Sequence, residues 1–185
     1  MPGARIKSGE RVTLRTFERE DIPFNQRASA NPEIRYPIGN PLENQDQIEE
    51  RYEDGHSDQF LVCLDDDAGP GQPDEDDVRR IGVISVEDAD WRRPELGYWL
   101  IPEIHGEGYG KESVALVIDD VFRVYDHPAV GAGAYDFNAA SRGLLESLGF
   151  TEEGRIRKDR FIDGEYIDMI QYGLLRREWR ERTQS

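Results

Sequence analysis

Lysine is nearly absent from these 185 residues: only Lys7, Lys111 and Lys158 occur, so almost all the positive charge is arginine. Cysteine is scarcer still. Cys63 stands alone, which excludes an internal disulfide and a thiol metal site and is compatible with a reducing compartment. Within Phe60 to Leu64, with no histidine near it in sequence, it reads as a buried core residue rather than an acyl-accepting nucleophile. His56, His105 and His127 lack the i, i+4 spacing of a helical metal pair, so no metal is expected. No apolar run approaches the length that spans a bilayer, and Met1 to Gly9 contains no apolar signal region. The expectation is a soluble, cytoplasmic protein without a membrane partner.

Negative charge is what the chain has in excess. Thirty-nine acidic against 23 basic residues give −16, which repels polyanions and excludes nucleic acid as an expected partner. An acid-rich, lysine-poor surface suits a high-salt cytoplasm, where counterions screen the repulsion among carboxylates. The melting temperature should therefore rise as potassium chloride goes from low to molar concentration. A flat or falling Tm removes this halophilic-type reading and makes attraction of cationic substrates the better account of the acidity.

Hydrophobic spacing predicts one mixed α/β (α+β) domain over residues 1–185, without internal repeats. Val12, Leu14 and Thr16 alternate as on a half-buried strand. Helices are expected from about Glu20 to Ala30, closed by Asn31-Pro32, and from about Asn44 to Asp54. Phe60 to Leu64 and Ile81 to Val86 read as neighbouring strands, joined by an acidic segment at about 65–78 that buries nothing apolar and is expected to be a mobile hairpin loop. That loop lacks the spacing of a calcium site. Further on, Val114, Val117, Ile118, Val121 and Phe122 mark one face of a helix beginning near Glu112. Ala129 to Tyr135 reads as a strand. Asn138 reads as the N-cap of a helix with Leu144, Leu145 and Leu148 inward and Gly149 as its stop. Asp163-Gly164 is a type I′ hairpin signal. Trp91 and Trp99 are expected in the core or in a cleft wall, and Trp179 as an anchor of the terminus.

The most informative stretch is His105-Gly106-Glu107-Gly108-Tyr109-Gly110-Lys111, between a strand ending near Ile101 and a long amphipathic helix. Its glycines let the backbone approach a ligand, and the following helix points unpaired N–H groups at the turn, as a phosphate site requires. It is not a Walker A loop: His105 stands where the first glycine belongs, and Glu112 where magnesium needs Ser or Thr. Nor does the G-x-G-x-G spacing match the dinucleotide fingerprint.

The stretch resembles the acyl-CoA signature Q/R-x-x-G-x-G/A of the GCN5-related N-acetyltransferase (GNAT) superfamily, with His105 in place of Gln or Arg and with Gly108 and Gly110 matching. Val12 to Phe17 with Glu20-Asp21, Glu95-Leu96-Gly97-Tyr98-Trp99-Leu100, Asn138-Ala139-Ala140-Ser141, Leu148-Gly149-Phe150 and Asp163 to Asp168 are similar, in order, to segments of its ribosomal-protein-alanine acetyltransferase (RimJ/RimL-like) branch. The resemblance implies a mixed central sheet of about seven strands, helices on both faces, and an acyl-CoA cleft where the family's fourth and fifth strands splay. It implies acetyl-CoA as co-substrate, held by His105, Gly106, Glu107, Gly108, Tyr109, Gly110 and Lys111, by Leu100 and Ile101 at the strand end, and by Asn138 and Arg142. The Leu100 amide becomes the oxyanion donor, Ser141 the proton donor to the leaving thiolate, and Glu95 a candidate base. Glu95 has an equally plain reading as a surface carboxylate, Ser141 as the polar face of its helix, and Lys111 and Arg142 as solvated helix charges.

The function expected is acetyl transfer to a primary amine by direct attack in a ternary complex, with a protein N-terminal α-amine as one candidate acceptor that the sequence does not separate from small amines. A small polyamine or antibiotic acceptor shares the chemistry, and a non-catalytic acyl-CoA-binding module is the competing class. The acceptor pocket is expected to draw on segments such as Asn31 to Leu42, and a homodimer is compatible with the resemblance.

Overall fold

A computed structural model describes residues 3–53, 57–65, 78–90 and 92–184. The acidic segment, His56 and Trp91 lie outside the described residues. An eight-stranded sheet runs β1 (Arg5–Ser8), β2 (Thr13–Thr16), β3 (Ser57–Asp65), β4 (Val78–Glu87), β5 (Glu95–Leu100), β6 (Ala129–Tyr135), β8 (Glu165–Leu175), β7 (Thr151–Ile162) in spatial order. The strand beyond the expected seven is β1, which the short apolar content of Arg5 to Ser8 did not announce; it pairs antiparallel with β2. Among the described strands only β5 and β6 pair in parallel, with α4 (Tyr109–Val124) carrying the chain between them.

Two cores follow from strand periodicity. On β3, Phe60 and Val62 face one cluster while Leu61 and Cys63 face the other. The larger cluster lies under α4, α5 (Ala139–Leu148) and Trp179 of α6 (Arg176–Thr183); the smaller lies under Ile22 of α1 (Ile22–Ala30) and Ile48 of α3 (Gln45–Glu53). Val114, Val117, Ile118 and Val121 of α4 are all buried, as their spacing predicts. Trp179 is buried and donates Nε1–H to Asp119 Oδ1 at 2.7 Å, tying down the terminus. Cys63 is buried and forms no disulfide.

Two boundaries differ from expectation for local reasons. Asn31-Pro32 closes α1 but also starts α2 (Pro32–Ile38): proline suits the first helical position, and Asn31 Oδ1 accepts from the Glu33 N–H at 3.0 Å. Helix α4 begins at Tyr109, so Gly110 and Lys111 belong to its first turn rather than to the loop before it. The hairpin turn is as predicted, with Asp163 and Gly164 both left-handed at φ 49° and 87°. No helix among the described residues is long and apolar enough to cross a membrane.

Candidate active site

The cleft arises where the parallel ladder ends. Strands β5 and β6 are in register only at Glu95 with Gly131 and Leu96 with Ala132, and beyond these pairs they part. On the other side of β5, Gly82 faces Leu100 while the Ile101 N–H donates to Ile81 O at 2.8 Å. That pattern makes Gly82–Leu100 a non-hydrogen-bonded pair, so the backbone polar groups of Leu96, Tyr98 and Leu100 point away from β4. Those of Leu96 meet β6; those of Tyr98 and Leu100 face the gap. The Leu100 carbonyl takes the His105 Nε2 at 3.0 Å, and the Leu100 N–H is aimed into the opening. Ile101 differs: its N–H is committed to β4, and it does not line the cleft.

This gap opens into a cleft of about 810 Å³ lined by β5 from Leu96 to Leu100, by the glycine stretch and by the start of α5. His105, Gly106, Gly108, Gly110 and Lys111 all face it; Glu107 and Tyr109 do not. Gly106 and Gly108 are left-handed at φ 82° and 87°, conformations other residues reach only with strain. Gly108 is the N-cap of α4, so the amides of Tyr109, Gly110 and Lys111 have no partner within the helix and present donors to an anion.

Arg11 completes this end, although nothing local in the sequence marks it. Its Nη1 donates to Glu107 O at 2.8 Å, its Nε lies 3.1 Å from Glu112 Oε2, and its guanidinium sits 4.6 Å from the centre of the Tyr109 ring. Glu112 in turn accepts the backbone N–H groups of Arg11 and Val12. Burial works against its charge, but those amides and Arg11 outweigh it and hold the carboxyl below its ordinary range. The β1–β2 turn is thereby clamped onto the glycine turn that opens α4.

At the other wall, Asn138 Oδ1 accepts the Ser141 N–H at 3.0 Å, the N-cap bond that starts α5, and Asn138 Nδ2 donates to Pro37 O at 3.4 Å. Asn138 therefore holds the helix start and α2 together while lining the cleft. Ser141 also lines it, and its Oγ lies 2.7 Å from the Tyr98 hydroxyl. Burial pushes the Tyr98 pKa up to about 12, against the contrary pull of its bond to Ser141. Tyr98 escaped notice in the sequence because one strand aromatic among several carries no local signal of a partner on a helix 43 residues away.

Two expected residues are engaged elsewhere. Arg142 donates Nε to Tyr172 OH at 3.2 Å and Nη1 to Asp136 O at 3.4 Å, bracing α5 on β8, and does not line the cleft. Glu95 stands before the strands part. It is paired at 3.0 Å with Arg93, which also holds Glu153 at 2.6 Å, and its carboxylate covers Gly131, where any Cβ would collide with it. Burial raises the Glu95 pKa in spite of Arg93. Because folding raises it, the carboxyl favours the fold below its unfolded-state pKa, and that contribution is lost as pH rises through the folded value. Glu95→Gln ends this titration, so its Tm relative to the parent should climb as pH rises upward from the ordinary glutamate range. Its kcat/KM should stay within about threefold of the parent with the acidic limb intact, because the carboxylate is outside the cleft. Loss of that limb would restore Glu95 as the general base.

Against known proteins, residues 11–151 match the family model described as an acetyltransferase (GNAT) domain. The chain is 31% identical over 175 residues to the SPbeta prophage-derived uncharacterized N-acetyltransferase YokL of Bacillus subtilis, covering 93% of this chain and 94% of that one. It is 34% identical over 100 residues to the putative ribosomal N-acetyltransferase YdaF of the same organism, covering 53% and 55% of the two chains. The crystal structure of spermidine N-acetyltransferase from Vibrio cholerae, in complex with CoA and spermine, superposes with a TM-score of 0.78 at 24% identity, over 92% of this chain and 99% of that one. A splayed strand pair, an exposed strand-end amide and a glycine-capped helix are the parts that acyl-CoA binding requires, and with these matches they establish that the chain belongs to the GNAT family of acetyl-CoA-dependent N-acetyltransferases.

Proposed function

We propose that the chain transfers the acetyl group of acetyl-CoA to the primary amine of a cationic acceptor by direct attack, with the Leu100 N–H as oxyanion donor and Ser141 beside the leaving sulfur. The observation that carries this reading is the Leu100 amide turned into the cleft with Ser141 on the wall opposite the strand. A donor fixed where the thioester oxygen gains charge stabilises the tetrahedral intermediate without reorganising. The amides of Tyr109 to Lys111 and the Lys111 ammonium are suited to the cofactor's phosphates.

The acceptor end of the cleft supports a cation. Glu33 and Glu87 line it, and the one arginine there, Arg51, is already paired with Glu43 at 2.7 Å. Glu33, Ile34, Pro37, Ile38 and Asn40 bring the segment 31–42 into this wall, as expected for an acceptor pocket. Two carboxylates in the lining favour a small polyamine, in line with the spermine-bound neighbour; a protein α-amine is favoured by the ribosomal relative and by its pKa of about 7.7–8.0, which leaves it partly neutral without a base. A screen of polyamines, aminoglycosides and peptides with free α-amines, read by CoA release, separates them. Release with one class assigns the acceptor. No release with any primary amine, alongside intact acetyl-CoA binding, would leave only a binding module.

A further inference from the structure

We propose that Tyr98 is a positioning residue for acetyl transfer: it donates its phenolic hydrogen to Ser141 Oγ and so turns the serine's own hydrogen toward the departing sulfur. The inference rests on the acetyl-transfer reading and adds to it a residue that acts through Ser141 rather than on the substrate.

The geometry begins with the strand. Leu96, Tyr98 and Leu100 project to the same face of β5, where Leu96 and Leu100 are buried in the main core. Tyr98 stands between them and reaches α5, beyond the point at which β6 has left the ladder. Its partner is equally fixed, because the Asn138 cap pins the Ser141 amide in the first turn of α5. Both hydroxyls are carried on regular elements whose neighbours hold them, so their 2.7 Å contact belongs to the scaffold rather than to a loop.

Two hydrogens compete for that one contact. If Ser141 donated, its hydrogen would be turned away from the cleft, and the tyrosine hydrogen would be left with Ser141 O at 3.4 Å, long for an O–H···O bond. If Tyr98 donates, both hydrogens are used: the phenolic one on Ser141 Oγ at the usual distance for such a bond, the serine one free for the cleft. Acidity favours the second arrangement, since a phenol, which burial keeps protonated, is a stronger acid than an aliphatic alcohol and so the better donor of the two.

The consequence for the reaction is definite. As the tetrahedral intermediate collapses, the C–S bond breaks and its electron pair stays on sulfur. The nitrogen must lose a proton on becoming an amide. Ser141 passes its own hydrogen to the sulfur and is replenished from the nitrogen directly or through water, so amine plus thioester gives amide plus thiol with no net change at either hydroxyl. Tyr98 keeps its proton throughout; its bond polarises the serine O–H and makes it the better donor.

The test is a double-mutant cycle of Tyr98→Phe and Ser141→Ala, with each variant melted as a check on folding. The phenylalanine keeps the ring and removes only the oxygen. We expect Tyr98→Phe to lower kcat at least tenfold with KM for acetyl-CoA within about twofold, and to lower it no further when Ser141 is already alanine. A variant that merely folds badly loses activity in both backgrounds, and that multiplicative result would overturn the proposal. So would normal or raised kcat in Tyr98→Phe, as expected if the serine had been donating to the tyrosine oxygen. The parent enzyme in the same assay tests the reading beneath: if it releases no CoA with any amine, acetyl transfer itself fails, whatever the variants do.

Discussion

Ser141→Ala should lower kcat by roughly ten- to a thousandfold and leave acetyl-CoA affinity nearly unchanged, as expected for a bond made to sulfur only as it leaves. The structure supplies the reasons for both halves. The serine lines the cleft in the first turn of α5, with its amide held by Asn138 and its hydroxyl by Tyr98, so it is pre-oriented rather than recruited by the ligand. In the proposed complex ground-state binding rests elsewhere, on the amides that open α4 and on the backbone edge of β5 that faces the cleft, none of which the substitution touches. Removing the oxygen leaves no buried charge behind, but it deprives the Tyr98 hydroxyl of its 2.7 Å partner and leaves it the longer contact to Ser141 O, so a small loss of Tm accompanies the kinetic effect. Steady-state kinetics at saturating acceptor, beside calorimetry of acetyl-CoA binding, reads the two quantities separately. Near-normal kcat would exclude Ser141 as the donor and turn attention to Tyr135, which lines the same cleft beneath Gly39, or to bound water.

What was legible in the sequence divides by range of interaction. The α5 cap, its left-handed Gly149 stop and the Asp163-Gly164 turn are local: their side chains or φ angles act within a few residues, so spacing alone reveals them. The core face of α4 is legible for the same reason. Arg11, Tyr98 and the true surroundings of Glu95 and Arg142 are not, since each depends on a partner supplied by topology. Arg11 reaches Glu107 across 96 residues, and Tyr98 meets Ser141 only because β6 departs from β5 after Ala132. Glu95 has the residue type of a base and lies on the right strand, yet it stands at its closed end, where the chain places Arg93 two residues before it and Glu153 on β7 beside it. Residue type and strand assignment do not say on which side of an opening a carboxylate falls. Register does.

Gly110→Asp separates folding from binding by giving them opposite signs. Gly110 occupies the first turn of α4, where a carboxylate interacts favourably with the helix dipole by about 0.3–1 kcal/mol and where losing a glycine removes some backbone freedom from the unfolded chain. The new Cβ would lie 3.0 Å from Leu144 Cδ1, a tight contact but one with the movable end of a side chain, so the thermal transition should hold or rise slightly. The same carboxylate would stand at the amides proposed to meet the cofactor's phosphates. Two like charges about 5 Å apart, at an effective dielectric of about 20, repel by about 3 kcal/mol, more than the dipole and entropy terms return. Since about 1.4 kcal/mol is a tenfold change in affinity, acetyl-CoA should bind at least tenfold more weakly, with the loss smaller in high salt. Calorimetry at low and at molar potassium chloride, with a melt of each sample, checks all three signs. Unchanged affinity in a folded variant would remove the phosphates from the start of α4, and with them the assignment of this turn as the cofactor's anchor.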